Sequence, residues 1–301
     1  GIDGLMADDT VHFMHLNSCG CPYCRAELKR RSGIDLPPIE DQSFWGNFDN
    51  PAWKHWIDLR FDSTAEFHAD LRKVLPEGFP LMSCGPASAA GTALGSASDA
   101  RKFLAGCNYT NLELCGNTPP YKHDPVTVNR TIGNHIISAS HHQAAAREKG
   151  VRCYGTGYGF TEPSANIIWA VNRFLDADCH FSTLKPRLGL PKKILDTLPD
   201  EFDVVKRAYT FEKDHPTLFN GNMVGQVGVY FSYETRNHTC FGYMTSGFSK
   251  DFQDTLQCLF REGISSHTIF RIPDSPKDYP LIILSSVLAM TEDEKSALRN
   301  Y

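Results

Sequence analysis

Gly4-Leu5-Met6-Ala7-Asp8-Asp9, followed ten residues later by Cys19-Gly20-Cys21-Pro22-Tyr23-Cys24 and a basic run to Arg31, decides how this chain is read. An apolar strand running into two acids puts carboxylates at the end of a buried strand. That is where an α/β sheet or barrel keeps its chemistry. Three cysteines within six residues make a soft-metal clip beside that mouth.

Outward from this stretch, short apolar strands alternate with amphipathic helices as far as about residue 184. Strands are predicted at 4–8, 80–84, 110–115, 151–156 and 179–184, and helices near 58–75, 98–106, 126–149 and 163–176. Strand, helix, strand at this spacing means right-handed crossovers and a parallel sheet. Residues 34–57 form a long insertion carrying Phe44, Trp45, Phe48, Trp53 and Trp56, either a lid over the site or a packed brace. A second unit begins after about residue 222. It has a buried strand at 227–231, a helix at 249–262, strands at 266–272 and 281–284, and a helix from Thr291. That is the start of a flavodoxin-like winding. Five strands in front, where a closed barrel needs eight, and a second sheet ending after three suggest a segment cut from a longer protein.

Composition narrows the function. The chain has 301 residues, 41% hydrophobic and 22% charged, with a net charge of -5. It can bury a full core, and its mild acidity argues against nucleic acid or an anionic membrane as partner. No apolar run approaches the ~18 residues of a membrane span. No secretory signal opens the chain, so a cytoplasmic location is expected. Of ten cysteines, Cys84, Cys107, Cys115, Cys153, Cys179, Cys240 and Cys258 stand singly and are expected as reduced core thiols. The sequons at Asn108, Asn129 and Asn237 carry no weight without a secretory signal.

Five strand–helix units, then a flavodoxin-like unit, with Cys-x-Cys-x-x-Cys after the first strand, resemble glycoside hydrolase family 42 and its relatives. The resemblance rests on Gly1 to Asp9, Cys19 to Leu28, Phe44-Trp45-Gly46, Trp56 to Arg60 with the Ser63…Glu66-Phe67 helix, and Leu175 to Phe181. It implies α/β architecture: the C-terminal part, strands 4–8, of a (β/α)8 TIM barrel over 1–220. A truncated flavodoxin-like, trimerisation-type domain over 221–301 would follow, with a homo-oligomer, a trimer in the family's pattern.

Glycosidases of this kind set two carboxyl groups across the scissile bond, one as acid and the other as nucleophile or base. The resemblance aligns Asp8 and Asp9 with the family's Asn-Glu pair after barrel strand 4, Asp9 standing where the acid/base glutamate would be. The family's dyad is therefore not reproduced, and an aspartate is one methylene shorter. Asp8-Asp9 could equally cap a loop. The second carboxylate falls to Glu162, the family's strand-7 position, or to Glu113, a lone glutamate inside an apolar strand that is costly to bury without a role. Thr161-Glu162-Pro163 also reads as a helix start. Trp45, Tyr158, Lys185 and Arg187, on loops at the presumed mouth, are candidates for binding sugar. Cys19, Cys21 and Cys24 supply three of the four ligands of a structural zinc, the family drawing the fourth from upstream; the alternative is reduced thiols at the barrel rim. No cofactor for catalysis is expected.

The reading is thus a glycosidase acting on a carbohydrate substrate by paired carboxylates. Its rival is a catalytically decayed carbohydrate-binding or assembly protein of the same fold. A nucleotide-binding flavodoxin-like protein fits poorly, because Gly155-Thr156-Gly157-Tyr158-Gly159 fails the spacing of a dinucleotide loop.

Overall fold

A first parallel sheet is built from β1 (Leu5–Asp8), β2 (Leu81–Gly85), β3 (Tyr109–Leu114), β4 (Arg152–Gly157) and β5 (Asp178–Phe181), in that spatial order. A second, of β6 (Val227–Tyr230), β7 (Ser266–Ile269) and β8 (Leu281–Ile283), runs in the order β7-β6-β8, also parallel. This computed structural model describes residues 1–12, 15–85, 92–114, 136, 139–157, 169–181, 199–219, 224–239 and 247–301. The chain is therefore mixed α/β with two parallel sheets, and every expected strand is present within a few residues. The strand expected at 266–272 stops at Ile269, and that expected at 179–184 is described only to Phe181.

The helix α1 (Pro22–Ser32) opens with proline at its first position and closes on Gly33 at φ 75, a left-handed cap that only glycine adopts without strain. The helix α2 (Pro51–Val74) starts seven residues before the expected 58–75: Asn50 caps the N–H of Ala52 and Pro51 fills its first turn. Its buried face (Trp53, Trp56, Ile57, Arg60, Phe61, Thr64, His68) recurs every three or four residues. His68 touches Ser83 on β2 at 3.1 Å, and His142, on the helix at 139–149, touches Thr110 on β3 at 2.6 Å. Leu112 joins the apolar core on that same side. The helices thus cover the face of Ser83, Thr110 and Leu112, as a strictly sequential strand order with crossovers of one hand requires.

The aromatic stretch at 34–57 is a brace. Phe44, Trp53 and Trp56 are buried, and Trp45 packs edge-on against all three at 5.1–5.9 Å. The expected helix at 98–106 divides into Ala100–Phe103 and a 3-10 turn, Leu104–Gly106. Described residues of the expected 163–176 helix are helical at 169–174. Sequence reading missed the helix Pro199–Asp214 and the short helix Tyr233–Thr239.

Helix 139–149 also faces the second sheet. Ser140 meets Thr268 at 2.5 Å, Arg147 donates to the Thr268 carbonyl at 3.1 Å, and His141 accepts from or donates to Tyr233 at 2.8 Å. Val229, Phe231, Phe248 and Phe252 belong to the same buried cluster as Leu94, Leu112 and Val171, so the two sheets share one core. Among the described residues no helix is long and apolar enough to cross a membrane.

Candidate active-site face and cysteine clip

Register aligns five residues straight across the first sheet: Asp8, Cys84, Asn111, Tyr154 and Asp178. Cys84, Asn111 and Tyr154 lie on the face away from the helices, because the alternate residues Ser83, Thr110 and Leu112 point to them. Asp178, at the start of β5, is instead paired with Arg173 of the helix at 169–174 at 2.8 Å. Thr156 donates to Asn111 Oδ1 at 2.5 Å, and the Asn111 amide reaches Cys84 Sγ at 3.3 Å. A polar ladder therefore ties β2, β3 and β4 together on the helix-free face. One strand period above Asn111, Glu113 holds the register position opposite Thr156.

Asp8 is the last residue of β1 and is exposed; Asp9 follows at φ 44, in the left-handed region that aspartate tolerates. Its N–H still bonds to the Cys84 carbonyl at 3.1 Å, so the ladder runs one residue past the strand. Both acids and Glu113 thus belong to the C-terminal ends of their strands. Glu162, Tyr158, Lys185 and Arg187 lie outside the described residues. Trp45, the remaining sugar-binding candidate, donates its indole N–H to the Pro38 carbonyl at 2.6 Å within the aromatic brace.

The loop after β1 is pinned onto α2. Arg60, 1% exposed, donates to the carbonyls of Leu94 at 2.5 Å, Gly95 at 2.5 Å and His15 at 3.0 Å. Trp56 donates to the Leu16 carbonyl at 2.8 Å. Burial lowers the Arg60 guanidinium to about 10. His12 sits 2.5 Å from Ser63 Oγ, and burial, helped by Arg60, pushes its imidazole down to about 4. Among the described residues no third group orients this His–Ser pair, and Ser63 also donates back to the Arg60 carbonyl. None of these helix contacts was legible in the sequence.

The three clip cysteines do converge: their sulfurs lie within 4.8 Å of one another. Tetrahedral thiolates ~2.3 Å from one ion sit roughly 3.8 Å apart, so a small inward shift would suit the set to a soft metal such as zinc. Cys21 is the N-cap of α1, and Arg25 braces the loop by donating to the Gly20 and Leu36 carbonyls at 2.8 and 2.7 Å. The backbone N–H of Cys24 and the Cys19 thiol hold Cys21 down at about 7, whereas burial raises Cys24 to about 12. Among the described residues no other group of three or more metal-ligating side chains converges. Of the single cysteines, Cys84, Cys153 and Cys179 are buried, Cys107 is half-buried and Cys258 exposed; Cys115 and Cys240 lie outside the described residues.

No family model matches the sequence. No curated protein matches it. Among solved structures, the fold is similar to that of a cold-adapted β-galactosidase from Rahnella sp. R3, at 14% identity and a TM-score of 0.58. The alignment covers 88% of this chain, which spans 45% of that β-galactosidase.

Proposed function

We propose that the chain forms strands 4–8 of a glycosidase-type TIM barrel over 1–220, with a flavodoxin-like, trimerisation-type unit over 221–301, and that it hydrolyses a glycoside with paired carboxylates. The observation that carries the reading is the placement of acids at the C-terminal ends of β1 and β3 in one parallel sheet. Strands β1 and β3 are two spacings apart, roughly 9.5 Å. That spacing matches the upper end of the ~5–9.5 Å separations of retaining and inverting dyads. The likeness in fold to a β-galactosidase supports the class.

In this mechanism Asp9 donates a proton to the glycosidic oxygen as the bond to the sugar breaks. Glu113 attacks the anomeric carbon or takes a proton from the attacking water. Asp8 holds a sugar hydroxyl or supports the loop. Glu162 is the alternative partner, and Tyr158, Lys185 and Arg187 are the candidates to bind the sugar, Trp45 being taken up by the aromatic brace. Cys19, Cys21 and Cys24 would hold a structural zinc that braces the loop after β1 and takes no part in hydrolysis. The active form would be a homo-oligomer, a trimer.

One observation favours a second reading. Asp9 is shorter than the expected glutamate and sits on a left-handed turn, as a loop-capping residue would in a carbohydrate-binding descendant without activity. A panel of aryl glycosides separates the two. In the enzyme, Asp9→Asn and Glu113→Gln each cut turnover by several orders of magnitude while the unfolding midpoint holds. Loss with Glu162→Gln but not Glu113→Gln moves the second carboxylate to β4. Sugar binding without turnover on any substrate establishes the descendant.

A further inference from the structure

Cys21-Pro22-Tyr23-Cys24 spans the start of α1, with Cys21 as N-cap and Cys24 in the first turn. Pro22 has no N–H to lose and a fixed φ, so this turn is pre-set. Residues three apart across a helical turn bring their Cβ atoms to about 5–6 Å, a short movement from the ~3.5–4.5 Å of a disulfide. The sulfurs already lie within 4.8 Å. The two cysteines differ in setting: Cys24 packs against the apolar core, whereas Cys21 stands outside it beside Tyr23, which is 84% exposed.

We propose that Cys21 and Cys24 are a redox couple that exchanges with low-molecular-weight disulfides, and that closing it empties the metal clip. The outer Cys21 thiolate attacks one sulfur of the small disulfide RSSR. An S–S bond forms between Cys21 and R, and the first RS⁻ leaves and takes a proton from water. Cys24, its proton given to water, then attacks Cys21 Sγ and displaces the second RS⁻. Two electrons pass from the two cysteines to RSSR, which becomes two RSH. Cys19 alone remains as thiolate, and one thiolate does not hold zinc. Metal-bound and disulfide forms are thus exclusive states of the same three sulfurs. This inference does not depend on the glycosidase reading.

The test uses the full chain, reduced and zinc-loaded, incubated with oxidised glutathione and mapped by alkylation and mass spectrometry. Wild type should lose two thiols in a Cys21–Cys24 disulfide while releasing its zinc to a chromogenic indicator. Cys24→Ser should trap a single glutathione on Cys21, Cys21→Ser should form neither product, and Cys19→Ser should still close the pair. No adduct on Cys21 in Cys24→Ser, or a disulfide made through Cys19 instead of Cys24, overturns the couple. Zinc retained after the disulfide forms, or no zinc uptake by the fully reduced chain, overturns the coupling to metal.

Discussion

Thr156 on β4 donates its hydroxyl to Asn111 Oδ1 on β3 at 2.5 Å, both buried, in the rung beside Glu113. Thr156→Val keeps the shape and removes the donor, leaving a buried amide oxygen without it. The expected cost is about 1–3 kcal/mol of stability. In the proposed enzyme it also lowers kcat more than it raises KM, because a loosened β3 no longer fixes the carboxylate. Denaturant unfolding and Michaelis kinetics read both. Unchanged stability would show that the contact carries no load.

Arg60 is the second test. Its guanidinium satisfies carbonyls from the loop after β1, at His15, and from the short helix Thr92–Ser96, at Leu94 and Gly95. Arg60→Met fills a similar volume but strands the buried Leu94 carbonyl and leaves the half-buried acceptors at Gly95 and His15 to water, so a loss of roughly 1–3 kcal/mol is expected. Because the His15 loop leads into the clip, the same variant should increase the alkylation rate of Cys24. A variant as stable as wild type would contradict the structural role assigned to Arg60.

The contrast between these residues and the strands shows what the sequence could reveal. Leu81 to Gly85 and Tyr109 to Leu114 are legible because a buried parallel strand is a short apolar run whatever its neighbours. The clip is legible because its three ligands lie within six residues. The Asn111–Thr156 contact depends on register between strands 45 residues apart, which no local pattern encodes. Arg60 looks like any helix-face arginine until the carbonyls of residues 15, 94 and 95 come together around it. The start of α2 carried a readable signal in Asn50-Pro51, but the density of aromatics there masked a cap as an insertion.

Gly155 offers a packing test. In the sequence it stood in a glycine-rich run that fails as a nucleotide loop. In the structure a Cβ at this position would lie 2.1 Å from Asn172 Oδ1. The glycine thus lets the helix at 169–174 sit close on β4. Gly155→Ala should force the helix outward and destabilise the fold by about 1–3 kcal/mol. A thermal melt checks it, and a variant melting with wild type would show that the helix yields freely.

His142 gives the stability a pH dependence whose sign can be worked out. It is fully buried with one ring nitrogen on Thr110, and its Nδ1 has no partner among the described residues. Burial holds it at about 4 against an ordinary 6.5. Above pH 6.5 the imidazole is neutral both folded and unfolded, so it adds no slope. As pH falls from 6.5 towards 4, the unfolded chain takes up a proton that the folded chain refuses. Stability is lost across that window, by roughly 3 kcal/mol for this group. Below about 4 the folded form protonates too, and the contribution levels off. His141, buried on the same helix and also lowered by burial, acts in the same direction. His142→Met removes one titration while Thr110 keeps its bond to the Ser83 carbonyl at 3.3 Å. Urea unfolding at a series of pH values should therefore give the variant a shallower loss of stability between pH 6.5 and 4. Parallel curves for the two proteins would mean that His142 is not held neutral by the fold.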